Sequence, residues 1–272
     1  MGTLYLVATP IGNLEDLSPR ALRILREASL IAAEDTRQTK KLLNHFDIHT
    51  PLTSYFEHNK FSKLEAILDR LTEGDVALVS DAGTPALNDP GYELVCAALK
   101  AGQRVSPIPG PASPIAALTA SGLPTDAFLY LGYLPRRSTE RKKVIEQVAD
   151  LPYTLIFLET PHRLLDSLED LEGILGGRQI ALARELTKLH EEVWRGRLHE
   201  ARMYFKEPRG EFVLVVAGKT KEEREKWSEK KLLAAIRRDT KAGGSPSALA
   251  AKLAVESGWP RRDIYKLITR RA

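Results

Sequence analysis

The sequence lacks the residues that several common kinds of site require. Its single cysteine, Cys96, excludes a disulfide framework within one chain. Lying in the helical run 92–99, it is expected to be a small buried hydrophobe, and a reducing cytoplasm is the expected setting. No Cys/His cluster has zinc-ligand spacing, so no metal is expected. G-x-G occurs nowhere, which removes the Rossmann dinucleotide fingerprint, and there is no G-x-S-x-G nucleophile elbow. Gly218-Lys219-Thr220 ends like a P-loop, but the apolar run before it holds no opening glycine. Apolar runs such as residues 212–217 fall far short of the roughly 20 residues that span a bilayer. Residues 1–7 have no basic leader and read as a strand rather than a signal peptide, and Leu6 does not satisfy an N-myristoylation signal. Membrane association is therefore not expected.

What is present fits a globular chain. Its 272 residues, 43% hydrophobic and 28% charged, have room for one to three domains. The net charge of +4 is unevenly spread. Residues 1–122 carry 11 Lys and Arg against 14 Asp and Glu; residues 123–219 carry 15 of each; residues 220–272 carry 14 against 7. A basic terminal module points to a polyanionic partner, the alternative being a solubilising surface.

Short apolar runs at 4–9, 30–34, 76–80, 155–159, 180–183 and 212–217 read as buried strands. Helical patterns at 19–28, 39–46, 61–71, 92–101, 141–148 and 163–172 alternate with them. The alternation predicts an α/β fold with covered sheets. Turn residues cluster at Ser121-Gly122-Leu123-Pro124-Thr125-Asp126, and strand signals end near Lys219. The expected organisation is an α/β domain over 1–122, a second over 123–219, and a basic helical domain over 220–272. In the last, helices flank Gly243-Gly244-Ser245-Pro246, with Ser247 as a candidate N-cap.

Three Gly/Pro-rich loops follow or enter predicted elements: Ala8-Thr9-Pro10-Ile11-Gly12-Asn13-Leu14, Ser80-Asp81-Ala82-Gly83-Thr84-Pro85 continuing to Asn88-Asp89-Pro90-Gly91, and Ile108-Pro109-Gly110-Pro111-Ala112-Ser113. In open α/β sheets ligands bind beyond the carboxyl ends of the strands, where such loops gather. Glycine admits close backbone approach and proline limits the entropy lost on binding. Taken singly, each loop also reads as an ordinary strand-to-helix turn.

Together with Glu34-Asp35-Thr36-Arg37, Glu57-His58-Asn59, Gly132-Tyr133-Leu134-Pro135, Glu159-Thr160-Pro161-His162-Arg163, Arg184-Glu185-Leu186-Thr187-Lys188 and Arg209-Gly210-Glu211, these loops resemble the ribosomal RNA small-subunit methyltransferase I family of the tetrapyrrole-methylase superfamily. The resemblance spans about residues 3–218, with Ser80-Asp81-Ala82 where superfamily relatives carry Gly-Asp-Pro. It implies two α/β domains of tetrapyrrole-methylase type with the donor in the cleft between them. It further implies S-adenosylmethionine-dependent 2′-O-methylation of a cytidine in the decoding region of small-subunit ribosomal RNA, with that RNA or the small subunit as partner, and a homodimer.

Carried over by motif, Pro10, Asp81, Ala82, Gly83, Thr84, Ala112 and Ser113 are expected beside the donor, and Leu158, Leu186 and Glu211 on its adenosine side. Asp35, Arg37, His58 and Lys188 are the candidates for proton removal, alkoxide stabilisation or phosphate contact. Each has a plainer reading: Asp81 as a turn cap, Glu34-Asp35-Thr36-Arg37 as a salt-bridged strand-to-helix turn, His58 as structural. RNA contact is expected from Arg136, Arg137, Arg141, Lys142 and Lys143, whose charges oppose the dipole at a helix start. It is also expected from Lys230, Lys231, Arg237, Arg238, Arg261, Arg262, Arg270 and Arg271 with Trp227, although Trp259 and Tyr265 read better as the helical domain's core. A tetrapyrrole-precursor methylase with the same donor site and a non-catalytic RNA-binding factor are the competing readings.

Overall fold

The computed structural model describes residues 2–219, 227–240, 245–257 and 259–269, with the backbone only at Thr240 and Val255. The chain divides into two compact units, before and after Gly218.

The first unit holds two five-stranded sheets. The first sheet contains β1 (Thr3–Val7), β2 (Leu30–Ala33), β3 (Leu52–Ser54), β4 (Val76–Val79) and β5 (Arg104–Ile108) in the order β3-β2-β4-β1-β5, all parallel. Its crossovers are α1 (Pro19–Glu27), α2 (Thr36–His45), α3 (Lys60–Glu73) and α4 (Tyr92–Lys100). Val76, Ala77, Leu78 and Val79 are all buried, as expected of a strand covered on both faces. One apolar cluster joins α1 to one side of the sheet and another joins α3 and α4 to the other.

The helix that leaves β5, α5 (Ser113–Ser121), packs on the second sheet. Its Ala117 and Leu118 are buried with Ile156, Ala181, Ala183, Val213 and Val215. Gly122, at φ 78°, ends it in the left-handed conformation glycine tolerates. The second sheet contains β6 (Phe128–Tyr133), β7 (Thr154–Glu159), β8 (Gln179–Arg184), β9 (Glu192–Arg197) and β10 (Phe212–Val216) in the order β6-β7-β10-β8-β9. Only β6 and β7 are parallel. The other face is covered by α6 (Ser138–Val148), α7 (Leu164–Leu175) and α8 (Leu198–Tyr204), with Ile145, Leu164, Leu168, Leu171 and Leu198 fully buried.

Two expectations fail among the packed helices of this unit. Cys96 is exposed, because Leu94 and Ala98 mark the inward face of α4 and Cys96 lies off it. Arg141 does not offer its charge to an outside partner: its guanidinium reaches the Asp170 carboxylate at 2.6 Å, with side-chain exposures of 5% and 6%. Lys142 Nζ lies 3.4 Å from the same carboxylate but its side chain stays half-exposed. Arg137, by contrast, keeps an exposed guanidinium in a loose 3.7 Å pair with Glu140.

The second unit comprises α9 (Glu229–Thr240), α10 (Pro246–Ser257) and α11 (Arg261–Thr269). Leu232, Ala235, Ile236, Ala250, Leu253, Ile264 and Ile268 form its core, with Trp227 and Trp259 packed against it. The Trp259 indole N–H donates to the Trp227 carbonyl at 2.7 Å, so Trp259 is core, whereas Tyr265 points outward. The cap of α10 is Ser245, whose Oγ accepts from the Ala248 N–H at 3.2 Å; Ser247 lies inside the helix after Pro246. Lys230, Lys231, Arg237, Arg238, Arg261 and Arg262 are exposed, while Gly243, Gly244, Arg270 and Arg271 lie outside the described residues.

Candidate functional site

The loops at the carboxyl ends of β1, β2, β4 and β5 converge on one end of the first sheet and face the second sheet across a cleft of about 260 Å³. Ile11, Glu34, Asp81, Ala82, Gly83, Thr84, Asp89 and the start of α5 line one wall. Tyr130, Tyr133, Leu158, Ala183, Leu186, Glu211, Phe212 and Val213 line the other.

Backbone chemistry locks the first wall. Thr9 and Gly83 exchange N–H···O bonds at 2.9 and 3.0 Å, and the Thr84 hydroxyl donates to the Pro111 carbonyl at 3.2 Å. Gly83 sits at φ 81°, a conformation few L-residues adopt. Ala86 and Asn88, both at φ 65°, show the same strained geometry without glycine's licence. The walls also touch: a Cβ on Gly12 would lie 2.5 Å from Lys188 Cγ and 2.8 Å from Thr187 Oγ1. Glycine there lets the β1 loop seat against the loop that follows β8. That loop bends through Glu185 and Thr187, at φ 51° and 66°, and is tied by the Glu185 carboxylate. Glu185 accepts from the Glu211 N–H at 3.1 Å and from Lys188 Nζ at 2.9 Å.

The electrostatics are acidic on the first wall. Burial raises the proton affinity of Glu34, and the negative charges of Asp89 and Asp81 add to it. Burial likewise raises Asp89. The phenol of Tyr130 is pushed up to about 12 by burial, with Tyr133 and Asp89 contributing, so it stays neutral. Lys188 is held charged: burial opposes its ammonium, but Glu185 and Glu211, the latter at 3.3 Å, more than offset it.

Of the residues expected beside the donor, Asp81, Ala82, Gly83, Thr84, Ala112, Ser113, Leu158, Leu186 and Glu211 all line the cleft. Pro10 does not; its neighbour Ile11 does. The four catalytic candidates are not among the lining residues. Asp35 caps α2, its carboxylate accepting from the Arg37 N–H at 2.8 Å and pairing with the guanidinium at 2.7 Å. Those bonds hold Asp35 down to about 2. The Asp35 N–H also donates to Asp81 at 3.0 Å, so Asp81 ties the two strand ends together while facing the cleft. His58 is exposed in the turn before α3 with its ring edge-on to Phe56. Lys188 reaches the cleft only through Glu211.

Sequence reasoning did not single out Glu34, Asp89, Tyr130 or Tyr133. Glu34 and Asp89 stand in quoted motifs beside the residues chosen, and Tyr133 follows Gly132. Tyr130 gives no signal, because an aromatic in a strand reads as core.

A cleft of strand-end loops between a parallel and a mixed sheet defines a two-sheet methylase architecture, and comparison bears this out. The family model "Tetrapyrrole (Corrin/Porphyrin) Methylases" matches residues 3–202. Among solved structures, uroporphyrin-III C-methyltransferase from Thermus thermophilus complexed with S-adenosyl homocysteine is similar with a TM-score of 0.56 at 22% identity, covering 79% of this chain and 97% of that one. Diphthine synthase is similar with a TM-score of 0.63 at 16% identity, covering 79% and 90%. At such identities these likenesses establish the fold.

Sequence relatives are nearer. Ribosomal RNA small subunit methyltransferase I of Halalkalibacterium halodurans is 50% identical, covering 98% of this chain and 94% of that one. The protein of the same name from Escherichia coli O157:H7 is 46% identical, covering 97% and 94%. The chain belongs to the ribosomal RNA small subunit methyltransferase I family, within the tetrapyrrole methylases.

Proposed function

We propose that the protein transfers the methyl group of S-adenosylmethionine to the ribose 2′-oxygen of a cytidine in the decoding region of small-subunit ribosomal RNA. The observation that carries this reading is the cleft itself. It has an acidic wall of Glu34, Asp81 and Asp89, locked glycine-bearing loops and the start of a helix, in a chain of this family. The donor's sulfonium and ammonium are cations, which suit carboxylates; its carboxylate suits backbone N–H groups and the start of α5. Asp81, Ala82, Gly83, Thr84, Ala112 and Ser113 are the groups offered to the methionine portion, with Pro10 in the β1 loop next to Ile11. Leu158, Leu186 and Glu211 are offered to the adenosine. The donor supplies an already activated methyl group, leaving the protein to align the acceptor oxygen, exclude water and take one proton.

Exposed Arg37, Arg136, Arg137 and the cations of the second unit are offered to RNA phosphates, and Lys188 to charge developing near the cleft. A cytoplasmic setting and an assembled or nearly assembled subunit follow from the acceptor. The family resemblance supports a homodimer. Among the described residues no helix is long and apolar enough to cross a membrane.

The test deletes residues 222–272. All cleft residues precede the deletion, so donor binding is expected to persist while methylation of small subunits is lost. Unchanged turnover on a tetrapyrrole precursor by full-length and shortened chains alike would favour the small-molecule reading.

A further inference from the structure

We propose that Glu34 is the group that takes the proton from the acceptor hydroxyl, an assignment that rests on the methyl-transfer reading above. Four carboxylates line the cleft: Glu34, Asp81, Asp89 and Glu211. Glu211 is ion-paired with Lys188 at 3.3 Å and largely exposed, so it is already committed to a cation. Asp81 is committed to the Asp35 N–H, stapling the ends of β2 and β4. Asp89, half-buried on the β4 loop, is raised by burial as well, but the Ser80 hydroxyl beside it works against that rise.

Glu34 is different. It is the first residue beyond β2, half-buried in the cleft wall, and among the described residues its carboxylate accepts one hydrogen bond, a long 3.4 Å contact from the Asp81 N–H. Among the described residues no Lys, Arg or His pairs with it at ion-pair distance, and its charged neighbours Asp35, Asp81 and Asp89 are all acidic. Such surroundings favour the protonated carboxyl and move the group toward the neutral range, where a general base works best. Its chain neighbour Asp35 is unsuited: it caps α2, pairs with Arg37 and is held down to about 2.

The step balances without a further reactant. As the ribose oxygen bonds to the methyl carbon, the carbon–sulfur bond breaks with its electron pair left on sulfur. The hydroxyl proton passes to a Glu34 carboxylate oxygen and then to solvent.

The test compares wild type, Glu34→Gln and Glu34→Asp on small subunits with saturating donor, across pH. General bases contribute about 10²–10⁴-fold, so E34Q is expected to lower kcat by about 10²-fold or more. Because Glu34 also belongs to the acidic wall that faces the donor's cations, the donor dissociation constant is expected to rise, but by far less than kcat falls. The rise of kcat with pH should flatten in E34Q, and E34D should recover part of the rate with a displaced limb.

A second readout needs no turnover. A carboxylate with raised proton affinity destabilises the folded state only where it is ionised, so E34Q should raise the thermal midpoint at pH 8 and leave it unchanged at pH 4. Near-normal kcat with an unaltered pH limb in E34Q would overturn the assignment, as would a loss fully explained by weakened donor binding. Absence of transfer by wild type on subunits would instead count against the methyl-transfer reading, while the pH-dependent midpoint still reports on Glu34.

Discussion

Replacing Asp170 by Asn tests whether the charge cluster on α6 is internal structure or RNA-binding surface. The Arg141 guanidinium meets the Asp170 carboxylate through two nitrogens at 2.6 Å, and the Ser138 hydroxyl donates to it at 3.0 Å. Both charged side chains are about nineteen-twentieths buried. Removing one member of such a pair leaves the other desolvated without a counter-charge, at a cost of about 3–5 kcal/mol. Asn keeps one oxygen to accept from Ser138 and Arg141, so the lower end, about 3 kcal/mol, is expected. For a unit of this size that is a fall in Tm of roughly 6–12 °C.

Burial works against the Asp170 carboxylate, but Arg141, Ser138 and Lys142 outweigh it and hold the group below its ordinary value. A depressed carboxylate contributes stability that is present above about pH 4 and lost as pH falls through the folded value. The wild-type advantage over D170N should therefore shrink in acid. The double variant R141M/D170L, which replaces the pair by apolar groups, should recover most of the loss. The assay is thermal and urea unfolding of wild type, D170N and the double variant, with subunit methylation measured alongside. A D170N cost below about 1 kcal/mol would refute the buried-pair argument. So would a double variant that keeps its stability but loses RNA methylation, since Arg141 would then be a phosphate ligand.

Two further outcomes follow from the site and the family. Gly12→Val places carbon where Lys188 Cγ, Thr187 Oγ1 and the Leu186 carbonyl now lie, within 2.5–3.1 Å. The β8 loop must then move. Donor affinity should fall about tenfold or more, with a stability loss of only about 1–3 kcal/mol, read by titration calorimetry and melting. Unchanged affinity would show that the loop contact does not shape the cleft. Light scattering should give twice the 30.3 kDa chain mass, and a monomer at assay concentration would remove the homodimer from the account.

The sequence exposed the interior of each sheet and hid its edges. The six apolar runs correspond to β1, β2, β4, β7, β8 and β10, the three inner strands of each sheet. The four strands without such a signal, β3, β5, β6 and β9, are the four edges. Edge strands bury less and tolerate polar residues and proline, as in Arg104-Val105-Ser106-Pro107-Ile108 and Glu192-Val193-Trp194-Arg195-Gly196-Arg197.

The glycine-bearing loops were legible because backbone needs write themselves into Gly and Pro. Groups arriving from the second sheet were not. Tyr130 and Phe212 look like strand residues until the fold turns them into a cleft wall. In Glu34-Asp35, adjacent residues of an extended segment point opposite ways, so one lines the cleft while the other caps α2. Arg141 likewise reads as a free cation until Asp170, 29 residues on, is brought beside it.

The most direct test of the account is to incubate the protein with methyl-labelled S-adenosylmethionine and unmethylated small ribosomal subunits, then map the labelled nucleotide by nuclease digestion and mass spectrometry. The account expects label on the ribose 2′-oxygen of one cytidine in the decoding region. Label on a base, or none on subunits and naked RNA despite measurable donor binding, would contradict it.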